Sequence, residues 1–312
     1  MLLKKTNELS RVQVKEICEL FETVFYKKMS YNDFLKKFTQ NIKGYSYHSI
    51  LLNNKNEIVG CYSSIPYEYD YFGDKLLFGL SVDTMIKEEY RGNPFAFKRL
   101  AKNIYGKMKK DGISFVFGFP NDNVYLIRKK ILGWKDIGRL NYYILPINVG
   151  AIKTKLKYLN FLSRSYAAFV NIFVSGKISS NDIYSKIKKS SIKDFRYNAS
   201  YKIVELDQGH ANYKIYDEDG VMVAYLIDVY PLSKWYLENA VKAIYTKEFG
   251  NIDVIIYVGN IDFKVKNLIK VPKIYEPKNI YMSGAILNTE NVDDRIFDLN
   301  AWEVNLSNYD VR

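Results

Sequence analysis

Apolar side chains at Val14, Ile17, Cys18, Phe21 and Phe25 recur every three or four residues, so residues 10–27 read as an amphipathic helix. A shorter helix follows at YNDFLKKFTQNI, residues 31–42. The period then falls to two. YSYHSILL, the polar turn NNKNE and IVGCYSSIPYEY predict an antiparallel hairpin over residues 45–69, and KLLFGLSVDTMI adds a strand at 75–86. Helical spacing returns with Phe97, Leu100, Ala101, Ile104 and Met108, while Lys98, Lys102, Lys109 and Lys110 occupy other faces. DGISFVFGF is an almost continuous apolar strand, VYLIRKKILGW a short helix stopping at Gly133, and IGRLNYYILPI a closing strand. Two apolar strands joined through a helix predict a parallel pair at the centre of a mixed sheet.

The pattern changes near residue 150. Residues 151–195 are rich in lysine and serine with helical stretches, and read as a helical connector between a domain at 1–150 and a second at 196–312. In the second, NYKIYDEDGVMVAYLIDVYP predicts a hairpin with an Asp-Gly turn, LSKWYLENAVKAIYTKEFG a helix and IDVIIYVGN a buried strand. Strand, helix, charged turn and buried strand therefore occur twice, as in two related halves. The fold class is α/β of the α+β kind.

Charge narrows the partners. Lys+Arg 46 against Asp+Glu 34 leaves +12, which favours anionic ligands: nucleic acid, an anionic membrane surface or phosphorylated small molecules. The basic residues are spread along the chain and form no block, which counts against nucleic acid. The apolar stretch YLNFLSRSYAAFVNIFVSG contains Arg164 and falls short of an uninterrupted span, and the N-terminus has no signal-like core, so a soluble cytoplasmic protein is expected. Cys18 and Cys61 read as buried thiols. His48 and His210 lack metal-ligand spacing, so no metal is expected. No GxSxG, Walker or Cys/His nucleophile pattern is present in the sequence.

The loop EEYRGNPFAFKRLA, residues 88–101, carries the candidate chemistry. Backbone N–H groups just before a helix are unpaired, and the helix dipole adds positive charge, so the loop is suited to a pyrophosphate. Arg91 adds a charge-assisted contact and the following lysines raise the local potential. With EIVG, SVDTMI, FVFGFPNDN and KKILGW around it, this region resembles the GNAT acyl-CoA N-acyltransferases over roughly residues 8–146. Their acyl-CoA loop reads Gln or Arg, two free positions, Gly, one free position, then Gly or Ala. Arg91 and Ala96 match, the Arg91–Gly92 pair is retained, and Pro94 stands where the central glycine is expected. Proline removes one amide, leaving those of Asn93, Phe95 and Ala96.

The resemblance implies a GNAT-like mixed sheet with splayed central parallel strands, followed by a degenerate GNAT-like second half. It also implies acyl-CoA as co-substrate, with Val82, Thr84, Met85 and Ile86 bonding the pantetheine arm through their backbone. A backbone N–H there would face the developing oxyanion. The family's thiolate acid, a tyrosine four residues before the glycine of the LGF-like segment, is replaced by Lys129; Tyr125, Asn121 and Asn123 are the substitutes. Asp83 is the carboxylate nearest the expected reaction centre and the candidate amine base. His210, Tyr213 and Trp235 are the candidates for substrate contact from the second half.

The two-half layout, GFPN…KKILGW and the ending WEVNLSNYDVR resemble members of bacterial surface-polysaccharide clusters. That resemblance implies an amino-sugar acceptor, such as a dTDP-amino-dideoxyhexose. Two other readings stay open: a peptide-bridge transferase using aminoacyl-tRNA, for which Arg91–Gly92 would be unnecessary, and a non-catalytic binding module in which Pro94 has disabled the loop.

Overall fold

Serines start the first two helices. Ser10 and Ser30 each accept a backbone N–H from the third helical residue, while Gln13 and Asp33 reach back to the N-cap amides. The computed structural model describes residues 1–92, 94–174, 186–190, 197 and 200–309, without the side chains of Pro94 and Asn123. In chain order the elements are β1 (Leu2–Lys5), α1 (Arg11–Phe25), α2 (Tyr31–Thr39), β2 (Tyr47–Leu52), β3 (Ile58–Tyr71), β4 (Asp74–Ile86), α3 (Pro94–Lys110), β5 (Ile113–Gly118), α4 (Asp122–Leu132) and β6 (Lys135–Arg139). Then come β7 (Asn141–Pro146), α5 (Val149–Ile152), α6 (Asn160–Ile172), β8 (Lys188–Lys189), β9 (Lys202–Leu206), β10 (Gly209–Glu218) and β11 (Val221–Tyr230). The last are α7 (Lys234–Lys247), β12 (Val254–Asn260), β13 (Ile269–Lys270), β14 (Tyr281–Ile286) and β15 (Val304–Asn305).

Two compact units result. The first takes the described residues of Met1–Arg139, Lys186–Arg196 and Ile280–Ala301; the second takes those of Leu140–Ser185, Tyr197–Asn279 and Trp302–Arg312. This differs from the consecutive division expected at 150 and 195, and the reason is non-local pairing. IGRLNYYILPI reads as one strand but is two, broken at Leu140: β6 joins the first sheet and β7 the second. The connector is also not purely helical, because Lys188–Lys189 pairs with β3 at Asp70 and Tyr69; residues 175–185 and 191–195 of that expected connector lie outside the described residues.

The first sheet runs β1-β2-β3-β4-β5-β14-β6, with β8 beside β3. Only β4 and β5 are parallel among its described pairs, as the two apolar strands predicted. The apolar stripe of α3 packs Phe97, Leu100, Ala101, Ile104 and Met108 against Tyr62 and Trp134, so the expected face is the buried one. The second sheet runs β13-β7-β12-β11-β10-β9, and its one parallel pair among the described residues, β11 with β12, is joined through α7. Each sheet thus receives the strand beyond its parallel pair from the other half of the sequence: β14 in the first, β7 in the second.

Both parallel pairs end after four residue pairs, and among the described residues a further strand pairs beyond that end in the second unit. In the first unit β4 pairs β5 from Leu77 to Leu80 and no further. In the second, β11 pairs β12 from Val223 to Leu226, and the chain's own C-terminal segment follows. There Val304 and Asn305 pair with Asn260 and Gly259, Trp302 is fully buried, and the Asn305 Nδ2 donates to Asp228 Oδ1 at 3.1 Å. A Cβ on Gly259 would lie 2.7 Å from the Val304 carbonyl oxygen, so the segment sits as close as a glycine allows. The ending WEVNLSN is structural filling.

His48 is the buried group of β2 with a consequence for stability. Its ring nitrogens lie 2.9 Å from Thr6 Oγ1 and 2.9 Å from Ser63 Oγ, and burial pushes its pKa down from 6.5 to about 3. The folded protein keeps His48 neutral where the unfolded chain takes up a proton. Its contribution is therefore complete above pH 6.5 and is lost as pH falls from there towards about 3. Urea unfolding at pH 7 and pH 4.5 is expected to show wild type losing about 2–3 kcal/mol more than His48→Gln. Equal losses in the two proteins would refute this assignment.

Candidate active site

The opening in the first unit is made by a bulge. Across β3 and β4, Cys61 pairs with Met85 and Ser63 with Val82, so Asp83 and Thr84 together face Tyr62. Asp83 takes the left-handed conformation, φ 43°, which aspartate tolerates better than a branched residue. The bulge turns the Asp83 carboxylate towards α2, where Lys37 Nζ lies 2.9 Å from its Oδ2, with both side chains almost wholly buried. This places Asp83 in a structural ion pair, away from the amine-base role expected of it. Lys37 was not among the expected site residues; in KKF it reads as the solvated face of a short helix.

On the other face of the same bulge lies Arg128 of α4, 4% exposed. Its Nη2 donates to Ser81 Oγ at 3.0 Å and to Thr84 Oγ1 at 3.3 Å, and its guanidinium carbon is 4.5 Å from the centre of the Trp134 ring. Nε and Nη1 are buried without a hydrogen-bond partner, and among the described residues no carboxylate pairs with the group. Glycine is required opposite: a Cβ on Gly118 would lie 2.8 Å from Nη1 and 3.1 Å from the Ser81 carbonyl oxygen. From Arg128 a chain of hydroxyls runs inward. Ser81 Oγ donates to Tyr62 Oη at 2.8 Å, Tyr62 and Tyr105 share a 2.8 Å bond, and Trp134 Nε1 donates to Tyr105 at 3.0 Å. Burial holds the Tyr105 phenol well above its ordinary pKa, so it supplies no neutralising charge. A buried, unpaired guanidinium is costly, and such groups in native proteins call for a reason.

The loop before α3 follows the bulged end of β4. Arg91 is exposed and its Nε donates to the Ile86 carbonyl at 2.8 Å. Gly92 has an ordinary φ and open space where a Cβ would stand, so neither turn geometry nor packing demands glycine there. A cavity of about 810 Å³ opens beside the loop, lined by Gly92, Ala96, Tyr90, Lys55 and Arg99, with Glu89 as its acid. Phe95 is 67% exposed; Asn93 lies outside the described residues.

Residues 5–135 match the acetyltransferase (GNAT) domain family. That match supports acyl-CoA-dependent N-acyl transfer, and it runs from the last residue of β1 to the first residue of β6. No curated protein matches the chain in sequence. Among solved structures, the chain is similar to a GCN5-related N-acetyltransferase from Anabaena variabilis (TM-score 0.57, 11% identity, covering 92% of this chain and 73% of that one). It is also similar to a probable N-acyltransferase of unknown function from Enterococcus faecalis (TM-score 0.60, 12% identity, 92% and 72% covered). A third is Eis1 from Mycobacterium abscessus (TM-score 0.57, 11% identity, 93% and 75% covered). At these identities the likeness concerns the fold, a GNAT-like one with a mixed sheet flanked by helices.

The first unit brings some expected site residues together and disperses others. Val82 and Met85 are buried and Thr84 and Ile86 partly exposed along the free stretch of β4. Asn121 caps α4, accepting the Val124 N–H at 3.1 Å, and the Asn123 side chain lies outside the described residues. The Tyr125 hydroxyl donates to Asp136 at 2.8 Å and its ring stacks on Tyr281 at 4.5 Å; burial and then the Asp136 carboxylate raise its pKa. Lys129 pairs with the same Asp136 at 2.5 Å. Tyr125 is therefore tied to a carboxylate, a poor arrangement for a thiolate acid.

In the second unit, Tyr213 is a core residue, fully buried with its hydroxyl 2.6 Å from Glu248. Trp235 packs on the same core, and His210 lies beside Tyr230 with ring centres 5.8 Å apart. The positions of Tyr213 and Trp235 come from the second sheet's own core, which a one-dimensional pattern of aromatics does not distinguish from a binding face. Arg128 went unnoticed because IRKKI reads as three solvated charges. Lys129 shares the helical face that joins Tyr125 to Leu132, so spacing alone does not single out Arg128.

Proposed function

We propose that the first unit transfers an acyl group from acyl-CoA to a primary amine at the free stretch of β4, with Arg128 holding the charge of the departing thiolate. The observation that carries this is the buried, unpaired guanidinium beside Ser81 and Thr84. A guanidinium stays protonated at any working pH, so it stabilises developing anions without transferring a proton. The amine nitrogen attacks the thioester carbonyl carbon, the C–N bond forms, the C–S bond breaks, and sulphur leaves as the thiolate. The proton shed by the amine goes to water. Backbone N–H groups of Val82–Ile86 are the donors for the carbonyl oxygen, and the Arg91–Gly92 loop with the N-terminus of α3 receives the pyrophosphate. Open space at Gly92 and the cations Lys55 and Arg99 along the adjoining cavity support that placement.

For the acceptor, the reading is a nucleotide-linked amino sugar of the dTDP-amino-dideoxyhexose type, in surface-polysaccharide biosynthesis. Its support is the net charge of +12, suited to two anionic substrates, and the two-half layout. Thermal unfolding with acetyl-CoA tests the site. At about 100 times its dissociation constant a ligand adds about 2.7 kcal/mol, a rise of roughly 5–10 °C in midpoint. Arg91→Glu, at an exposed position, is expected to keep the unliganded midpoint and lose most of that rise. A wild-type midpoint indifferent to acetyl-CoA would remove the reading; a rise retained by Arg91→Glu would remove the loop assignment. Thiol release on adding dTDP-amino sugars then tests the acceptor.

A further inference from the structure

Helix α6 belongs to the second unit and buries only one of its faces. Ser163, Ala167 and Asn171 face the core: Ser163 Oγ donates to the Ile147 carbonyl at 2.7 Å, and Asn171 Oδ1 accepts from Asn267 Nδ2 at 2.9 Å. The opposite face is mostly apolar, broken by Ser165, and exposed among the described residues. Phe161 is 76% exposed, Leu162 60%, Phe169 60% and Ile172 70%, with Tyr158 at 76% and Phe173 at 52% at its ends. At about 100° per residue the four within the helix, Phe161, Leu162, Phe169 and Ile172, fall within roughly a third of its circumference. A soluble surface rarely carries so many large apolar side chains side by side without a partner.

Charge shows what the partner is. From Ile137 to Val174 the sequence contains no Asp or Glu, while Lys153, Lys155, Lys157 and Arg164 are all exposed on and just before the helix. Thirteen residues, at about 1.5 Å each, cannot cross a bilayer. Among the described residues no helix is long and apolar enough to do so. An apolar stripe with basic flanks, lying flat, fits the headgroup region of an anionic bilayer. A second copy on this face would instead set like-charged flanks against each other.

We propose that α6, with the basic turn before it, docks the protein on an anionic membrane surface. The aromatic and aliphatic side chains enter the boundary between headgroups and acyl chains, and Lys153, Lys155 and Lys157 meet lipid phosphates. This inference stands apart from the acyl-transfer reading, because it uses no residue of the first unit.

The test is co-sedimentation of the full chain with vesicles of phosphatidylcholine alone and of phosphatidylcholine mixed with phosphatidylglycerol. Wild type is expected to sediment with the mixed vesicles only. Phe161→Ser with Leu162→Ser and Phe169→Ser should weaken that binding by at least about tenfold, as should Lys153→Glu with Lys155→Glu and Lys157→Glu. Both variants change exposed positions and should keep the wild-type unfolding midpoint, which is recorded alongside. Wild type remaining in the supernatant with mixed vesicles would overturn the proposal. Binding that ignores phosphatidylglycerol would overturn it too, as would a wild-type dimer in sedimentation velocity that the serine variant dissolves, which would assign the face to a second copy.

Discussion

Arg128→Met is expected to lower kcat for acyl transfer by about 10²–10³, the usual loss when one donor to a transition-state anion is removed. Acetyl-CoA should still raise the unfolding midpoint, because the loop and the backbone of β4 that bind it are unchanged in sequence. Two further readouts separate a charge-holding role from a structural one. The thiol of bound CoA should titrate well below about 8.5, the ordinary range of a thiol, in wild type and return towards it in the variant, followed by thiolate absorbance in the ultraviolet. The unliganded variant should also unfold at a higher temperature than wild type, since methionine removes a buried cation with two unpartnered donors. A variant that is less stable, with the bound thiol unshifted in both proteins, would make Arg128 a packing residue and end the thiolate assignment. CoA that fails to bind even wild type would instead end the acyl-CoA reading, so the two failures are distinguishable.

What the sequence made legible in this protein was local. Ser10, Ser30 and Gly133 mark helix ends by chemistry that acts within one turn, and each sits where that chemistry requires. The recurring strand–helix–strand units were visible because a parallel pair forces apolar runs at both ends of a crossover. Illegible features depended on what lies across a sheet. Nothing in YMSGAI shows that it passes between β5 and β6, and nothing in IGRLNYYILPI that Leu140 divides two sheets. The site was half legible for the same reason. The Arg91–Gly92 loop is a contiguous motif, whereas the burial of Arg128 follows only from Ser81, Gly118 and Trp134 converging on it.

Lys37→Met should cost the first unit a large part of its stability. Lys37 and Asp83 are 6% and 2% exposed in their side chains and 2.9 Å apart, so removing the lysine takes its cation away from a buried carboxylate. Breaking such a pair costs about 3–5 kcal/mol, a fall on the order of 10 °C in unfolding midpoint for a domain of this size. Adding Asp83→Asn to Lys37→Met should recover most of that loss, because asparagine removes the charge and still accepts a positive φ. Leucine at 83 would not serve, since the bulge needs the left-handed conformation. The same pair of variants decides what Asp83 does in the reaction. The bulge aims Thr84 at Arg128 and ends the pairing with β5, so a loosened bulge should slow transfer along with stability. If Asp83 only anchors the bulge, the double variant regains rate and midpoint together. If it were the amine base, the double variant would regain its midpoint and stay inactive, and the buried ion pair would have to open during turnover.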